Sequence, residues 1–99
     1  MELLWLVSTV TVAIQALGYK PKQLDVTVGT RVVWTNQDEI AHTVTATADS
    51  GTAPLFSGAL SGKGQSFSFT FERAGTVSYH CARHTFMRGA IRVSPKGDR

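Results

Sequence analysis

Hydrophobic and polar residues alternate along most of this chain, and a period of two predicts short β-strands. Residues 24–28 alternate apolar and polar side chains before Gly29, and residues 66–71 alternate serine or threonine with phenylalanine. The same alternation, or a run of β-branched residues, recurs at residues 11–14, 31–35, 42–47, 76–81 and 89–94. No segment has a convincing helical period, so the pattern predicts an all-β protein.

Turn-forming residues separate these segments and indicate how the strands are connected. Residues 36–38, 49–51 and 57–64 are rich in Gly, Ser, Asn and Asp, and we expect loops there. Seven or eight short strands at this spacing are typical of a closed β-sandwich or barrel of antiparallel strands with Greek-key connections.

The beginning of the chain is apolar and resembles a signal peptide. However, its early charge is Glu2, where a signal peptide carries a basic residue, and cleavage near Ala16 would remove the expected strand at residues 11–14. The apolar run is too short and too often interrupted to span a membrane, so we expect no stable membrane insertion. We interpret residues 1–7 as a leader remnant or a strand extension of a single domain that covers residues 1–99.

The composition fits a folded domain and argues against a nucleic-acid-binding protein. The chain has 99 residues, of which 42% are hydrophobic and only 17% are charged, so it can form a core and is not disordered. The formal net charge is only +3, without a basic run interleaved with aromatic residues, and we expect no nucleic-acid partner. The basic residues concentrate from residue 63 onward, either as solvated surface charge or as a cationic rim that attracts an acidic partner.

The most informative chemistry lies at residues 79–89, which contain the single cysteine of the chain. Cys81, His84 and Met87 follow the spacing Cys-x2-His-x2-Met and offer a thiolate, an imidazole and a thioether. His42, at the start of an expected strand, is the candidate for a second imidazole. His80 adjoins the cysteine, but strand alternation turns it to the opposite face, so we interpret it as a surface residue.

These four residues favour a metal site, and their chemistry favours copper. Taken singly, a buried cysteine or methionine is usually a core residue. Taken together, two imidazoles, a thiolate and a weak thioether are the ligands of a type 1 (blue) copper centre. Zinc prefers four strong donors, and iron–sulfur clusters need several cysteines.

The sequence resembles the cupredoxins, the blue copper proteins, and among them it is most similar to the amicyanins. The resemblance runs from about residue 10 to residue 93. The segments that show the resemblance are residues 19–21, 26–29, 33–36, 41–44, 69–71, 74–76 and 81–89. The two-residue gap between His84 and Met87 is the amicyanin-like feature. The resemblance implies a cupredoxin-like Greek-key fold with one copper ion, whose ligands are His42, Cys81, His84 and Met87.

The resemblance also implies a function, that of a small electron carrier that cycles between Cu(II) and Cu(I). It implies redox protein partners, namely a donor dehydrogenase and a c-type cytochrome or an oxidase, and an exported location on the periplasmic or extracellular side. We expect a monomer. The alternative is a copper-binding or copper-delivery module. We do not expect an enzyme, because four ligands leave no open position on the metal and no acid–base pair accompanies them.

Overall fold

The computed structural model describes residues 8–47 and 54–95, which form nine β-strands and no helix. The strands are β1 (Thr9–Gln15), β2 (Gly18–Lys20), β3 (Gln23–Thr27), β4 (Arg31–Asn36), β5 (His42–Thr47), β6 (Pro54–Leu60), β7 (Ser66–Thr70), β8 (Gly75–His80) and β9 (Arg88–Ser94). One sheet has the order β2-β1-β4-β7 and the other the order β3-β9-β8-β5-β6. The predicted all-β sandwich is therefore confirmed. Within the described part of the chain, no apolar helix has the length needed to cross a bilayer.

Two of the strand pairs are parallel, which the prediction of an antiparallel sandwich did not include. β1 runs parallel to β4, and β3 runs parallel to β9. Alternation along a strand specifies which side chains face the core. It does not specify the direction of the neighbouring strand, because both directions bury the same face.

The described residues contain more strands than the seven or eight that were predicted. β2 has only three residues, and β6 occupies part of the segment that was predicted as a loop. Gly58 lies in the middle of β6, where a Cβ atom would overlap the ring of Phe67. The glycine therefore makes room for an aromatic ring from the other sheet. Residues 1–7 and 49–51 lie outside the described residues, and the predictions for them stay predictions.

Aromatic side chains fill the space between the two sheets. Trp34 on β4 is completely buried, and its ring packs edge-on against Tyr79 at 5.4 Å and in a stacked arrangement against Phe67 at 5.9 Å. Burial of each such side chain stabilises the fold by about 1.5–3 kcal/mol. The result is a well-packed frame around β4 and β8, and Tyr79 lies only two residues before the cysteine.

The sheet order brings the candidate metal ligands to one end of the molecule. β5 and β8 are antiparallel neighbours, and Ala46 lies opposite Tyr79. The start of β5 and the end of β8 therefore meet at the same end, which we call the metal pole. His42 opens β5, and Cys81 follows directly after β8.

Candidate metal centre

The 81–87 loop returns on itself because its backbone hydrogen bonds close it at both ends. The Cys81 N–H donates to the carbonyl of Met87 at 3.2 Å, and the Met87 N–H donates to the carbonyl of His84 at 2.8 Å. Strand alternation along β8 points Tyr79 and Cys81 inward, and both are buried, as predicted. The closed loop thus starts and ends beside the cysteine.

Three of the four predicted ligands present their donor atoms to a common point. The Sγ atom of Cys81 lies 3.8 Å from Nδ1 of His42 and 3.8 Å from Nδ1 of His84, and the three donor atoms are all within 4.8 Å of one another. Bonds of about 2.0 Å to an imidazole and about 2.3 Å to a thiolate, 120° apart, separate the two donors by roughly 3.7 Å. The observed spacing therefore fits three ligands around one metal ion.

Met87, the fourth predicted ligand, lies at the far end of the 81–87 loop. It belongs to the same short loop as Cys81 and His84, and it is only 1% exposed. His80 does not belong to the cluster. It is half-buried and sits in β8 opposite Arg88 and Thr45.

A carboxylate that was not among the predicted site residues fixes the orientation of His42. Nε2 of His42 lies 2.9 Å from Oδ2 of Asp38. Burial acts to raise the pKa of Asp38, but hydrogen bonds from Leu17, His42 and Ala16 outweigh it and lower this pKa, so the carboxylate is ionised and can only accept. The imidazole therefore donates to Asp38 from Nε2, and Nδ1 is the ring nitrogen that faces Cys81.

Asp38 is itself held by a distant part of the chain. Its two oxygens accept the backbone N–H groups of Ala16 at 2.8 Å and Leu17 at 3.0 Å, in the turn between β1 and β2. Both turn residues have positive φ angles, of 52° and 59°, and their backbone N–H groups point at the carboxylate of Asp38. The turn, the carboxylate and the ligand therefore form one hydrogen-bonded chain.

Asn36 shapes the loop that carries Asp38. The side chain is completely buried, and its amide donates to the carbonyls of Ile40 at 3.0 Å and Leu60 at 3.3 Å. Its Oδ1 atom accepts the Asp38 N–H at 2.9 Å. This satisfied polar group fixes residues 37–41 and so the approach to His42.

The surroundings of Cys81 favour a thiolate. Burial acts to raise the pKa of the thiol, but the Thr43 N–H, which donates to Sγ at 3.4 Å, and the contacts with His42 and His84 outweigh it. The pKa of Cys81 is lowered from 9.0 to about 6. These contacts therefore favour the thiolate, which is the form of cysteine that binds metal.

The donor set of this centre fits copper. The group of His42, Cys81 and His84 is the one cluster of this kind in residues 8–47 and 54–95, and it offers one sulfur and two imidazole nitrogens. Two imidazoles, a thiolate and a weak axial thioether are characteristic of blue copper sites, whereas structural zinc sites use four strong ligands.

The surface above the site is partly apolar and positively charged. His84 is half-buried, whereas His42 is only 1% exposed, so His84 is the imidazole that reaches solvent. Phe86 is 68% exposed, and the exposed Arg83 and Arg88 flank it in the sequence.

The chain is similar to a known protein family and to several known proteins. Residues 7–94 match the family model of copper-binding proteins of the plastocyanin/azurin family. Amicyanin from Paracoccus denitrificans is 37% identical over 84 residues, which cover 85% of this chain and 64% of that protein. The chloroplastic plastocyanin of Physcomitrium patens is 32% identical over 87 residues, covering 80% of this chain and 52% of that protein. The chain thus spans less than two thirds of the length of these relatives.

Solved structures show the same relationship. Reduced amicyanin with a proline-to-phenylalanine substitution superposes with a TM-score of 0.79 at 37% identity, covering 87% of this chain and 82% of that one. Oxidised amicyanin with a methionine-to-leucine substitution also gives 0.79 at 37% identity, covering 86% and 81%. The predicted resemblance to the cupredoxins and the amicyanins, and the predicted copper cofactor, are confirmed. The fold, the donor set and the match to the family model together show that the chain belongs to the plastocyanin/azurin family of copper-binding proteins.

Proposed function

We propose that this chain is a small one-electron carrier with a type 1 copper site formed by His42, Cys81, His84 and Met87. The observation that carries the proposal is the convergence of one thiolate and two imidazole nitrogens within 4.8 Å, on a loop whose next buried side chain is a thioether. Bound copper supplies one-electron chemistry between Cu(II) and Cu(I).

The protein contributes a fixed geometry to this chemistry. Cys81 provides the anionic sulfur, and Asp38 holds His42 in the tautomer that binds through Nδ1. His42 and Cys81 are almost completely buried, so the ligands keep their positions and solvent has little access to the metal. Because the two oxidation states then share one ligand arrangement, electron transfer requires little rearrangement.

We propose that His84 is the exit for electrons, since it is the ligand imidazole that reaches the surface. The exposed Phe86 and the flanking arginines suit short-lived encounters with redox protein partners, such as a donor dehydrogenase, a c-type cytochrome or an oxidase. An enzymatic role is not proposed, because four protein ligands occupy the metal. We further propose that residues 1–99 act as a single monomeric domain on the periplasmic or extracellular side, where metal binding protects the thiolate from oxidation.

Copper loading followed by a redox titration tests the proposal. We expect one copper per chain and an intense visible absorption that disappears on addition of one electron equivalent and returns on reoxidation. A protein that binds Cu(I) reversibly but never develops this colour with Cu(II) would instead be a copper-delivery module. Substoichiometric, colourless binding contradicts the type 1 site.

A further inference from the structure

A groove of about 450 Å³ lies beside the metal pole, between residues 17–22 and the end of the 81–87 loop. We call it the basic groove, and its lining includes Leu17, Lys20, Lys22, Phe86, Met87 and Arg88. A hydrogen bond from the Ala90 N–H to the Lys22 carbonyl, at 2.9 Å, joins its two walls. The groove is therefore built into the sandwich and ends at the proposed fourth ligand.

Three cations surround the groove, and the described chain gives them no acidic partner. Lys20, Lys22 and Arg88 are exposed. The ion pairs within residues 8–47 and 54–95 join Lys63 to Glu39 and His42 to Asp38, so neither involves these three side chains. Asp38 lies close by, but both of its oxygens already accept hydrogen bonds. Within the part of the chain that the structure describes, the groove thus carries three cations without an ion-pair partner.

The rim of the groove is apolar. Leu17 is 41% exposed and Phe86 is 68% exposed, and they lie on opposite walls. A groove with cations and an apolar rim is complementary to a peptide whose carboxylates pair with the cations and whose apolar side chains pack on the rim. Such a groove matches a bare phosphate chain less well, because phosphate gains nothing from the leucine and phenylalanine surfaces.

We propose that the basic groove binds an extended acidic segment, rich in Asp and Glu, of a protein redox partner. The proposal rests on the proposed function, because a partner seated here lies against Met87 and next to His84. Carboxylates pair with the two lysines and the arginine, and apolar side chains cover Phe86. The groove therefore sets the orientation of the partner, while His84 passes the electron.

An NMR titration of the full, copper-loaded chain in its Cu(I) form tests the assignment, with a capped hexaglutamate peptide as the probe. We expect amide shifts concentrated at residues 17–22 and 86–90, and binding that weakens as salt is added. The Lys20→Gln/Lys22→Gln variant should bind the peptide about fivefold more weakly. The matched control is Arg73→Gln/Arg92→Gln, which removes the same charge from the far end of β8 and β9 and should stay within about twofold of wild type.

The outcomes separate this proposal from the proposed function. Equal losses in the two double variants, or shifts located elsewhere, would mean that only net charge matters and overturn the proposal. Tighter binding of a thymidine hexanucleotide than of hexaglutamate at equal salt would overturn the acidic-peptide assignment. Visible colour and midpoint potential are recorded on the same samples. A coloured, reversible protein that fails to bind the peptide refutes the groove alone, whereas a colourless protein refutes the copper function.

Discussion

At the scale of single residues, the central feature is that one carboxylate connects a distant turn to a metal ligand. Asp38 accepts two backbone N–H groups of the β1–β2 turn and the Nε2–H of His42. Partners of this kind orient a ligating imidazole and increase its basicity. The negative charge close to the site also favours Cu(II) over Cu(I).

We expect Asp38→Asn to weaken Cu(II) binding by about tenfold, because the amide retains an acceptor for the turn but loses the charge that holds His42. If Cu(I) binding is unchanged, the midpoint potential rises by about 59 mV, since a tenfold change corresponds to that shift for one electron. Voltammetry of the copper-loaded protein measures it. Glu39→Gln is the control, because it removes the same charge from an exposed neighbour. Equal shifts in both variants would show that Asp38 acts only as a distant charge.

The candidate ligands were accessible to sequence reasoning, whereas Asp38 was not. Cys81, His84 and Met87 lie on one short loop, and the chain has three histidines in all, so His42 was the remaining imidazole away from that loop. Asp38 precedes His42 by four residues, a spacing that indicates contact only on a helix. Here the contact arises because the buried Asn36 folds residues 37–41 into a particular loop.

At the scale of elements, strand alternation predicted most of the strands and failed where side chains are small. β6 contains Ser57 and Gly58, which are typical of loops, but antiparallel pairing with β5 holds it in the sheet. The ring of Phe67 occupies the space that a side chain at residue 58 would need. The need for glycine at residue 58 therefore comes from tertiary packing, which the local sequence pattern does not show. The direction of the parallel strand pairs is also set by tertiary structure.

We predict that Gly58→Ala destabilises the protein by about 1–3 kcal/mol, because the added methyl group displaces the ring of Phe67. Urea unfolding of the metal-free protein measures this without a contribution from copper binding. Gly62→Ala is the matched control, since no atom lies within 4 Å of the position of its Cβ. The visible spectrum of folded, copper-loaded Gly58→Ala should match wild type. Equal stability of the two variants would contradict the packing of Phe67 against Gly58.

At the scale of the whole molecule, the candidate metal ligands and positively charged side chains lie together at the metal pole. The order of β5, β8 and β9 places the 81–87 loop there, and Arg83 lies on that loop. Arg73 lies before the start of β8, at the other end of the sandwich. The proposed exit at His84 is therefore next to positive charge, which raises the local concentration of anionic reactants.

We predict that Arg83→Gln slows the oxidation of the Cu(I) protein by hexacyanoferrate(III) by about threefold at low ionic strength. The rate should also depend less on salt, because screening has less attraction to remove. Stopped-flow kinetics measures both quantities. Arg73→Gln removes the same charge from the far end and should leave the rate close to wild type. An equal decrease of the oxidation rate in the two variants would contradict this prediction. It would mean either that electrons do not leave at the metal pole or that net charge alone controls the encounter.

The visible spectrum of copper-loaded Cys81→Ser tests the central claim most directly. The thiolate is the ligand responsible for intense charge transfer, so we predict that the strong visible absorption is lost while circular dichroism shows an intact β-sandwich. His80→Gln, which changes the residue beside the cysteine but outside the cluster, should keep the full colour. A Cys81→Ser protein that binds copper and retains the intense absorption would contradict a type 1 site built on Cys81.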